Sequence, residues 1–389
     1  MKWIKSLLAC LMAVLLCAVH TKTDVQALSV NDNLVQDLSS TYAIVIDAET
    51  SEVLGAKNAD EKMYPASMTK MLTAIVAIES LPDLNQQITI TDKMLEGLFN
   101  ADASVAGFIV GDRPTVEDLL YGIALPSGAD ATNAVAYTIS GSLEAFAEKM
   151  NAKAQEIGMT SSHFVNPHGL HDENHYSTAR DIAKLLQYCL KNETFRTVFS
   201  AKNYVTSSLV SYPAGITMSD HVQTKSEAMG VDLPNYIGGK TGYTGEAGYC
   251  LAAWSSANER TYITVTAHSE EYLGYIPDTA ALLTRLSTWK QNVLLSTSTA
   301  VANVTTGEDT ITVYAPDTLV MDLPEGTETV VYIDLPSSIT QTYEKQQVHG
   351  FLTVMADNTV VYSKDIMVEV PAVKGIFNRL RLKIAEKFD

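Results

Sequence analysis

Apolar and polar positions along this chain show two textures, and one gives way to the other near Val293. The stretch AIVIDAETSEVLGAK, residues 43–57, predicts two strands around a polar turn at Glu49-Thr50-Ser51. An oily helical run follows, opening with PASMTKML at Pro65–Leu72. Val116–Leu125 and Asp130–Ile139 predict two helices broken at PSGAD, and Ser142–Ile157 a third, with Ala145, Phe146, Met150 and Ala154 on one face. Thr178 is placed to cap a helix over Ala179–Leu190, with Asp181 three residues on as a capping box. Strands return at Tyr236–Tyr243, Tyr249–Ser256 and Tyr262–Ala267, with a turn at Asn258-Glu259-Arg260, and a helix over Asp278–Trp289 closes this part. Two early strands, three late ones and helices between imply one sheet sewn from both ends, an α+β layer fold over residues 28–292.

Beyond Val293 the segments shorten and alternate: TITVYA, VVYIDL, FLTVMA, NTVVYS and IMVEV, separated by turn residues. This texture predicts a small all-β domain over residues 293–370, ended by Pro371. Two further segments stand apart. Residues 1–27 begin with Lys2 and Lys5, run apolar from Leu7 to Val19 and end in small residues, the pattern of a secretory signal peptide. Leu7-Leu8-Ala9-Cys10 resembles a lipoprotein box but comes too early, with the apolar run still ahead of it. Residues 371–389 carry Val373, Ile376, Phe377, Leu380, Ile384 and Phe388 at helical spacing, flanked by Lys374, Arg379, Arg381, Lys383 and Lys387. That stripe is too short and too charged to span a bilayer, so it is expected to lie in a membrane interface; the bland alternative is a helix docked on the β domain.

Charge narrows the partners. The formal net charge is −18, and the leader is itself basic, so the exported chain is more acidic still and nucleic acid is not expected as a partner. Cys10 and Cys17 belong to the leader; Cys189 and Cys250 sit among apolar neighbours and predict buried thiols rather than a disulfide framework.

Three short stretches carry candidate chemistry. In PASMTKML, Ser67 and Lys70 are three residues apart and share a helix face. A serine hydroxyl needs a base to become a nucleophile, and a lysine serves only when neutral, which requires burial, a nearby cation or the positive end of a helix to lower its proton affinity. A second copy of the spacing, Ser287-Thr288-Trp289-Lys290, falls at a helix tail, where the dipole has the opposite sign, and reads as surface. PSGAD puts Ser127 at a helix break, either an ordinary turn or a loop from which a second hydroxyl can pass a proton. GGKTGYTGEAGYC puts Lys240-Thr241-Gly242 on a strand, either an edge blunted by lysine or a place where a peptide adds as an extra strand and its carboxylate meets Lys240 and Thr241. The glycines there mark close approach of another backbone.

In this order, Ser-x-x-Lys, Ser-x-x and Lys-Thr-Gly resemble the signature of penicillin-recognising serine enzymes. PASMTK, NPHGL, HYSTARDIA and KTGYTGEAGYCLA resemble one branch, the low-molecular-mass penicillin-binding proteins that are D-alanyl-D-alanine carboxypeptidases. The resemblance covers roughly residues 40–290 by motif, and the family's layout also includes a β-rich domain and a basic amphipathic tail. It implies an antiparallel five-stranded sheet flanked by helices, as in β-lactamases and transpeptidases. It implies that Ser67 forms an acyl-enzyme with the penultimate D-Ala of a peptidoglycan stem peptide, that Lys70 is the base, and that Ser127 relays a proton to the leaving D-Ala. Lys240 and Thr241 would hold the substrate carboxylate, and the N–H groups of Ser67 and Tyr243 the oxyanion. No metal or cofactor is implied, β-lactam antibiotics would be covalent inhibitors, and the protein would work outside the cytoplasm, attached to the outer face of the membrane through residues 372–389.

Ala129 stands where the family's second motif has Asn, which is expected to weaken turnover. Two alternatives remain: a class A-like β-lactamase, which needs a Glu-x-x-Leu-Asn setting absent between Ser127 and Lys240, and a catalytically silent wall-binding scaffold, which the retention of Ser67, Lys70, Ser127 and Lys240 argues against. His163, His168, His171 and His175, near Asp172 and Glu173, invite a zinc reading, but Pro167 and Gly169 break the helix that their spacing needs.

Overall fold

A computed structural model describes residues 32–372, apart from 36, 288–289, 296, 307–308, 317–318, 324–325 and 340–343. The predicted leader (1–27) and all but the first residues of the predicted tail helix lie outside the described residues.

The chain divides into two compact units. The larger holds residues 29–296 with Thr318–Thr327 and is built on an antiparallel sheet. Its strands are β1 (Tyr42–Asp47), β2 (Val53–Lys57), β5 (Tyr236–Thr244), β6 (Gly248–Ala257) and β7 (Arg260–Ser269), after a short ribbon of β3 (Asn203–Val205) and β4 (Thr217–Ser219). The spatial order is β2-β1-β7-β6-β5, so the two early strands join the three late ones through β1 and β7, with Ile44 opposite Val265. The sheet sewn from both ends is therefore present, and β5 is left as an edge.

The helices in this unit are α1 (Asp32–Val35), α2 (Lys70–Ser80), α3 (Asp92–Leu95), α4 (Val116–Ala124), α5 (Ala129–Ser140), α6 (Leu143–Ile157), α7 (Ala179–Cys189), α8 (Glu193–Phe199), α9 (His221–Met229) and α10 (Tyr275–Ser287). One sheet face, with Ile44, Ile46, Ala252, Trp254, Ile263 and Val265, packs into the main core with α2 and α7. The other, with Ala43, Val45 and Tyr262, packs on Leu282, Leu283 and Leu286 of α10. Because helices cover both faces, β1 is buried at every position from Ala43 to Asp47, and Ala43–Ile46 read as an unbroken apolar run rather than an alternation. α2 is buried nearly all round through Met71, Leu72, Ile75 and Ile78, and each such side chain contributes about 1.5–3 kcal/mol as an upper estimate. Cys189 and Cys250 are both buried and free.

Helix starts follow local chemistry. Thr115 and Asp118 form a reciprocal capping box at α4 (Asp118 N to Thr115 Oγ1, 3.1 Å; Thr115 N to Asp118 Oδ2, 2.9 Å). At α7 only half of the predicted box forms. Thr178 Oγ1 accepts from Asp181 N (3.1 Å), but the Asp181 carboxylate turns instead to Ser161 N (2.8 Å) and Ser162 Oγ (2.9 Å), tying down the loop that precedes the NPHGL stretch.

The smaller unit holds residues 297–317 and those from 328 on. It contains a ribbon of β9 (Ala300–Thr306) and β10 (Asp309–Tyr314) and a sheet of β12 (Thr329–Asp334), β13 (Gln346–Ala356) and β14 (Thr359–Val370). Between them in sequence, β11 (Leu319–Leu323) pairs with β8 (Lys290–Leu295), and this pair groups with the larger unit.

Asp278, at the start of α10, accepts four hydrogen bonds from the segment leading into β1: Ser39 N (2.9 Å), Ser39 Oγ (3.0 Å), Ser40 N (2.7 Å) and Ser40 Oγ (2.6 Å). Removing this buried carboxylate strands those donors, so Asp278→Ala should cost about 3 kcal/mol. A lowered urea midpoint at unchanged slope is the expected result; a loss under ~1 kcal/mol would show the cluster to be dispensable.

Candidate active site

Chain entry into α2 fixes the first two groups. Ala66 takes a left-handed conformation (φ +45°) after Pro65, and residues Ala66–Thr69 form a 3₁₀ turn before the α-helix begins at Lys70. In a 3₁₀ turn residues i and i+3 eclipse, so Lys70 lies directly over Ser67. Lys70 Nζ donates to Ser67 Oγ at 2.8 Å and to the His168 carbonyl at 2.7 Å.

The loop that supplies that carbonyl is NPHGL. Asn166 closes it, donating from Nδ2 to Leu170 O (2.9 Å) and accepting from Gly169 N at Oδ1 (2.7 Å). Gly169 (φ +84°) lies against the turn that carries Ser67, and a Cβ there would fall 1.9 Å from Ala66 O. Thr73 Oγ1 donates to Pro167 O (2.6 Å), fastening the loop to α2. His175 accepts from Val165 N at Nδ1 (3.2 Å), which leaves the proton on Nε2 to donate to Thr69 Oγ1 (2.8 Å). Burial, reinforced by the Lys70 charge and then His175, drives His168 down to about 3; His175 is pushed to about 4, chiefly by burial. Both rings are neutral at pH 7 and act as positioning groups. The other two histidines have separate partners: His163 Nδ1 bonds to Asn174 O (2.6 Å), and His171 packs edge-on against Tyr64.

The PSGAD break is pinned by Asp130, whose carboxylate accepts from Ala106 N (2.8 Å), Gly107 N (2.9 Å) and Phe108 N (3.0 Å), while Ala129 N donates to Ser104 O (2.8 Å). These bonds bring Asp102, Ala103 and Ser104 to the cleft. Ser127 is held at φ +61°; its Oγ is buried and has no hydrogen-bond partner among the described residues, so it bonds to neither Ser67 nor Lys70.

From the other side comes the β5 edge. A Cβ on Gly242 would lie 2.8 Å from Pro65 O and 3.2 Å from Ser67 N, so only glycine lets the strand meet the turn this closely. Lys240 is buried and donates to Thr241 O (3.1 Å). Burial pushes its proton affinity down to about 7, opposed by Asp220, which caps α9 through Val222 N (2.9 Å), and helped by Lys225. Lys70 is held well below the usual lysine value, first by burial and then by the Lys240 charge, against a restoring pull from Asp130. Ser67, Lys70, Ala129, Leu170, Tyr243 and Thr244 line one cleft. An amine with lowered proton affinity, hydrogen-bonded to an alcohol and facing a strand edge, can activate that alcohol against a carbonyl laid along the strand.

With this geometry in place, comparison with known proteins decides the family. A family model described as D-alanyl-D-alanine carboxypeptidase, peptidase S11, matches residues 26–270. The chain belongs to the D-alanyl-D-alanine carboxypeptidase family. It is 37% identical over 225 residues to the D-alanyl-D-alanine carboxypeptidase DacF of Bacillus subtilis, covering 57% of this chain and 56% of that protein. The chain thus spans little more than half the length of that curated relative. The crystal structure of the Streptomyces K15 DD-transpeptidase superposes with a TM-score of 0.58 at 30% identity, over 64% of this chain and 96% of the other. DacD of Francisella tularensis, at 22% identity and a TM-score of 0.66 over 86% of this chain and 94% of its own, shows the same fold. Family membership and the DD-peptidase fold agree with the antiparallel sheet and flanking helices read from the sequence.

The Lys70 assignment has a measurable consequence for stability. Its folded-state proton affinity is depressed, so between that value and about 10.5 the unfolded chain binds a proton that the folded one does not. Stability contributed at this site therefore falls as pH drops through that window. Lys70→Met removes the penalty, and its thermal midpoint minus that of the wild type should be greater at pH 7.5 than at pH 10 by ~5 °C. A difference independent of pH would mean that Lys70 is charged as in water.

Proposed function

We propose that the chain is a serine-type D-Ala-D-Ala carboxypeptidase that removes the terminal D-alanine from peptidoglycan stem pentapeptides. The observation that carries this reading is the 2.8 Å contact between Ser67 Oγ and a buried Lys70 amine whose proton affinity is lowered, set against a Lys-Thr-Gly strand edge. Lys240, as a cation, and the Thr241 hydroxyl bind the substrate's terminal carboxylate, and the peptide adds along β5. Lys70 takes the Ser67 proton as Oγ attacks the carbonyl carbon of the penultimate D-Ala. The N–H groups of Ser67 and Tyr243 hold the oxyanion. The C–N bond breaks, and the proton reaches the leaving D-Ala amine through Ser127, whose unpartnered hydroxyl is free to serve. Water then hydrolyses the acyl-enzyme and restores Ser67. Ala129 lines the cleft where the family's amide would contribute, and its methyl group offers the substrate no hydrogen bond there.

β-Lactam antibiotics present a carboxylate and a reactive amide to the same groups and acylate Ser67. Among the described residues lining the cleft there is no glutamate to drive water onto that adduct, which favours a long-lived penicilloyl species over β-lactamase turnover. On incubation with penicillin the wild type should gain the mass of one intact antibiotic and Ser67→Ala none, with D-alanine release from a pentapeptide lost in parallel. Labelling of Ser67→Ala, or rapid release of the adduct from the wild type, would contradict the assignment.

The protein acts outside the cytoplasm in this reading, exported by the 1–27 leader and held at the membrane's outer face by the basic amphipathic tail. Among the described residues no helix is long and apolar enough to cross a membrane. Each basic side chain near anionic lipid contributes about 1 kcal/mol, and the apolar stripe adds to this. Deletion of residues 372–389 should release the protein from membranes while leaving activity on soluble peptides intact. Retention of the truncated protein in the membrane fraction would refute the anchor.

A further inference from the structure

We propose that Asp102 is a specificity residue of the cleft, its carboxylate receiving a side-chain ammonium that the acyl donor carries on the residue before the penultimate D-Ala; this deepens the carboxypeptidase reading above and rests on it. Main-chain bonds shape the segment that brings Asp102 there: Ala101 N donates to Gly97 O (3.1 Å), Asp102 N to Phe99 O (3.2 Å) and Ala103 N to Leu98 O (3.1 Å). Asp102 sits at φ +47°, a conformation that Asp and Asn accept more readily than most residues. The carboxylates that follow it are engaged in the fold. Asp112 holds Ser211 through N (3.0 Å) and Oγ (2.6 Å), Asp118 holds Ser207 N (2.9 Å) and Tyr204 Oη (2.9 Å), and Asp130 holds the 106–108 loop. Asp102 differs: among the described residues its carboxylate has no hydrogen-bond or ion-pair partner, although it lines the same cleft as Ser67 and Lys70. The Lys70 amine does not answer it, being bonded to Ser67 Oγ and the His168 carbonyl, and the acid whose charge reaches Lys70 is Asp130. Glu246, in the turn after β5, already faces His171 Nδ1 at 3.8 Å.

The walls of the cleft fix which part of the substrate meets this carboxylate. Tyr243 and Thr244 line it together with Ser67, Asp102 and Ser104, whereas Lys240 and Thr241 do not. In the carboxypeptidase reading the terminal carboxylate is bound by Lys240 and Thr241, and the scissile carbonyl meets Ser67 at the level of Gly242, where the strand touches the Ala66–Thr69 turn. The acyl side of the peptide therefore enters the cleft, running along β5 toward Thr244. Its first residue is the penultimate D-Ala, whose methyl group carries no charge. The residue before it lies about 3.4 Å further along an extended chain and is the first whose side chain can bear one. With a volume of about 60 Å³ the cleft is narrow, so a side chain entering from the β5 wall meets the Asp102 wall. An unpaired carboxylate there opposes an acidic side chain and attracts an ammonium, which gives discrimination by both repulsion and attraction. Acylation of that amine removes its charge, so the cleft favours a donor whose side-chain amine is free.

The test uses two tripeptides that differ only in charge, Nα-acetyl-L-Lys-D-Ala-D-Ala with its side-chain amine free and the same peptide acetylated at that amine, each with wild type and Asp102→Asn. Asn keeps the shape of the side chain and tolerates the same backbone conformation, and penicillin labelling of Ser67 reports whether the variant is folded. Wild type should show a kcat/KM roughly 4-fold higher for the free amine, mostly through KM, as an ion pair at a solvent-exposed carboxylate supplies. That ratio should fall to about one in Asp102→Asn, and in the wild type it should shrink as salt is raised. A wild-type ratio near one, or a ratio that Asp102→Asn leaves unmoved, would overturn the subsite. So would an equal loss of kcat on both peptides with acyl-enzyme accumulating, which would put Asp102 in the hydrolytic step instead. A wild type that releases no D-alanine from either peptide would remove the carboxypeptidase reading itself, and the subsite with it.

Discussion

Two lysine amines buried within each other's field, one of them bonded to a serine hydroxyl, set the terms for everything around them. An isolated ammonium in an apolar interior is costly, and a second one nearby raises that cost, so the pair holds together only with one member largely unprotonated. Lys70 is the member that yields, held down by burial and by the Lys240 charge, while the equally buried Lys240 is pulled back up by Asp220. The same imbalance that weakens the fold locally leaves a base beside the alcohol. Asp130 pulls the other way, yet its carboxylate is already engaged by three backbone N–H groups of the 106–108 loop, which spreads its charge over the fold rather than focusing it on Lys70.

Holding such a pair requires rigid walls, and backbone supplies them. The Ala66–Thr69 turn is pressed between Gly169 on one side and Gly242 on the other, both at distances that exclude any side chain. The His168 carbonyl orients the Lys70 amine, and the neutral His175 ring ties Thr69 to the same loop. Strand edge, loop and helix start thus meet at one point, which the sheet order β2-β1-β7-β6-β5 makes possible by leaving β5 without an outer neighbour.

Much of this was legible in the chain because it rests on short-range spacing. Ser67 and Lys70 are neighbours through the geometry of one turn, the sheet is announced by its apolar runs, and glycine in the Lys-Thr-Gly stretch signals the backbone that approaches it. What could not be read depends on partners far apart in sequence or on main-chain atoms: the His168 carbonyl on Lys70, 98 residues away, the His175 ring on Thr69, 106 residues away, and the backbone N–H groups of Ala106, Gly107 and Phe108 on Asp130. Backbone donors and acceptors carry no residue identity, so no motif records them. Asp220 was silent for a related reason. Its visible signal is that of a helix cap, and only the fold brings its charge beside Lys240. The capping box expected at Thr178 failed in part because Asp181 found stronger use bracing Ser161 and Ser162.

The protonation state of the Lys70 amine is directly measurable. Lysine labelled with ¹³C at Cε, followed by NMR through a pH titration and assigned by the signal lost in Lys70→Met, reports it without reference to substrate. The account predicts a Lys70 resonance that titrates well below the usual lysine value of 10.5 and shifts upward when Lys240 is replaced by Met. A Lys70 signal titrating at the ordinary value, indifferent to Lys240, would contradict it.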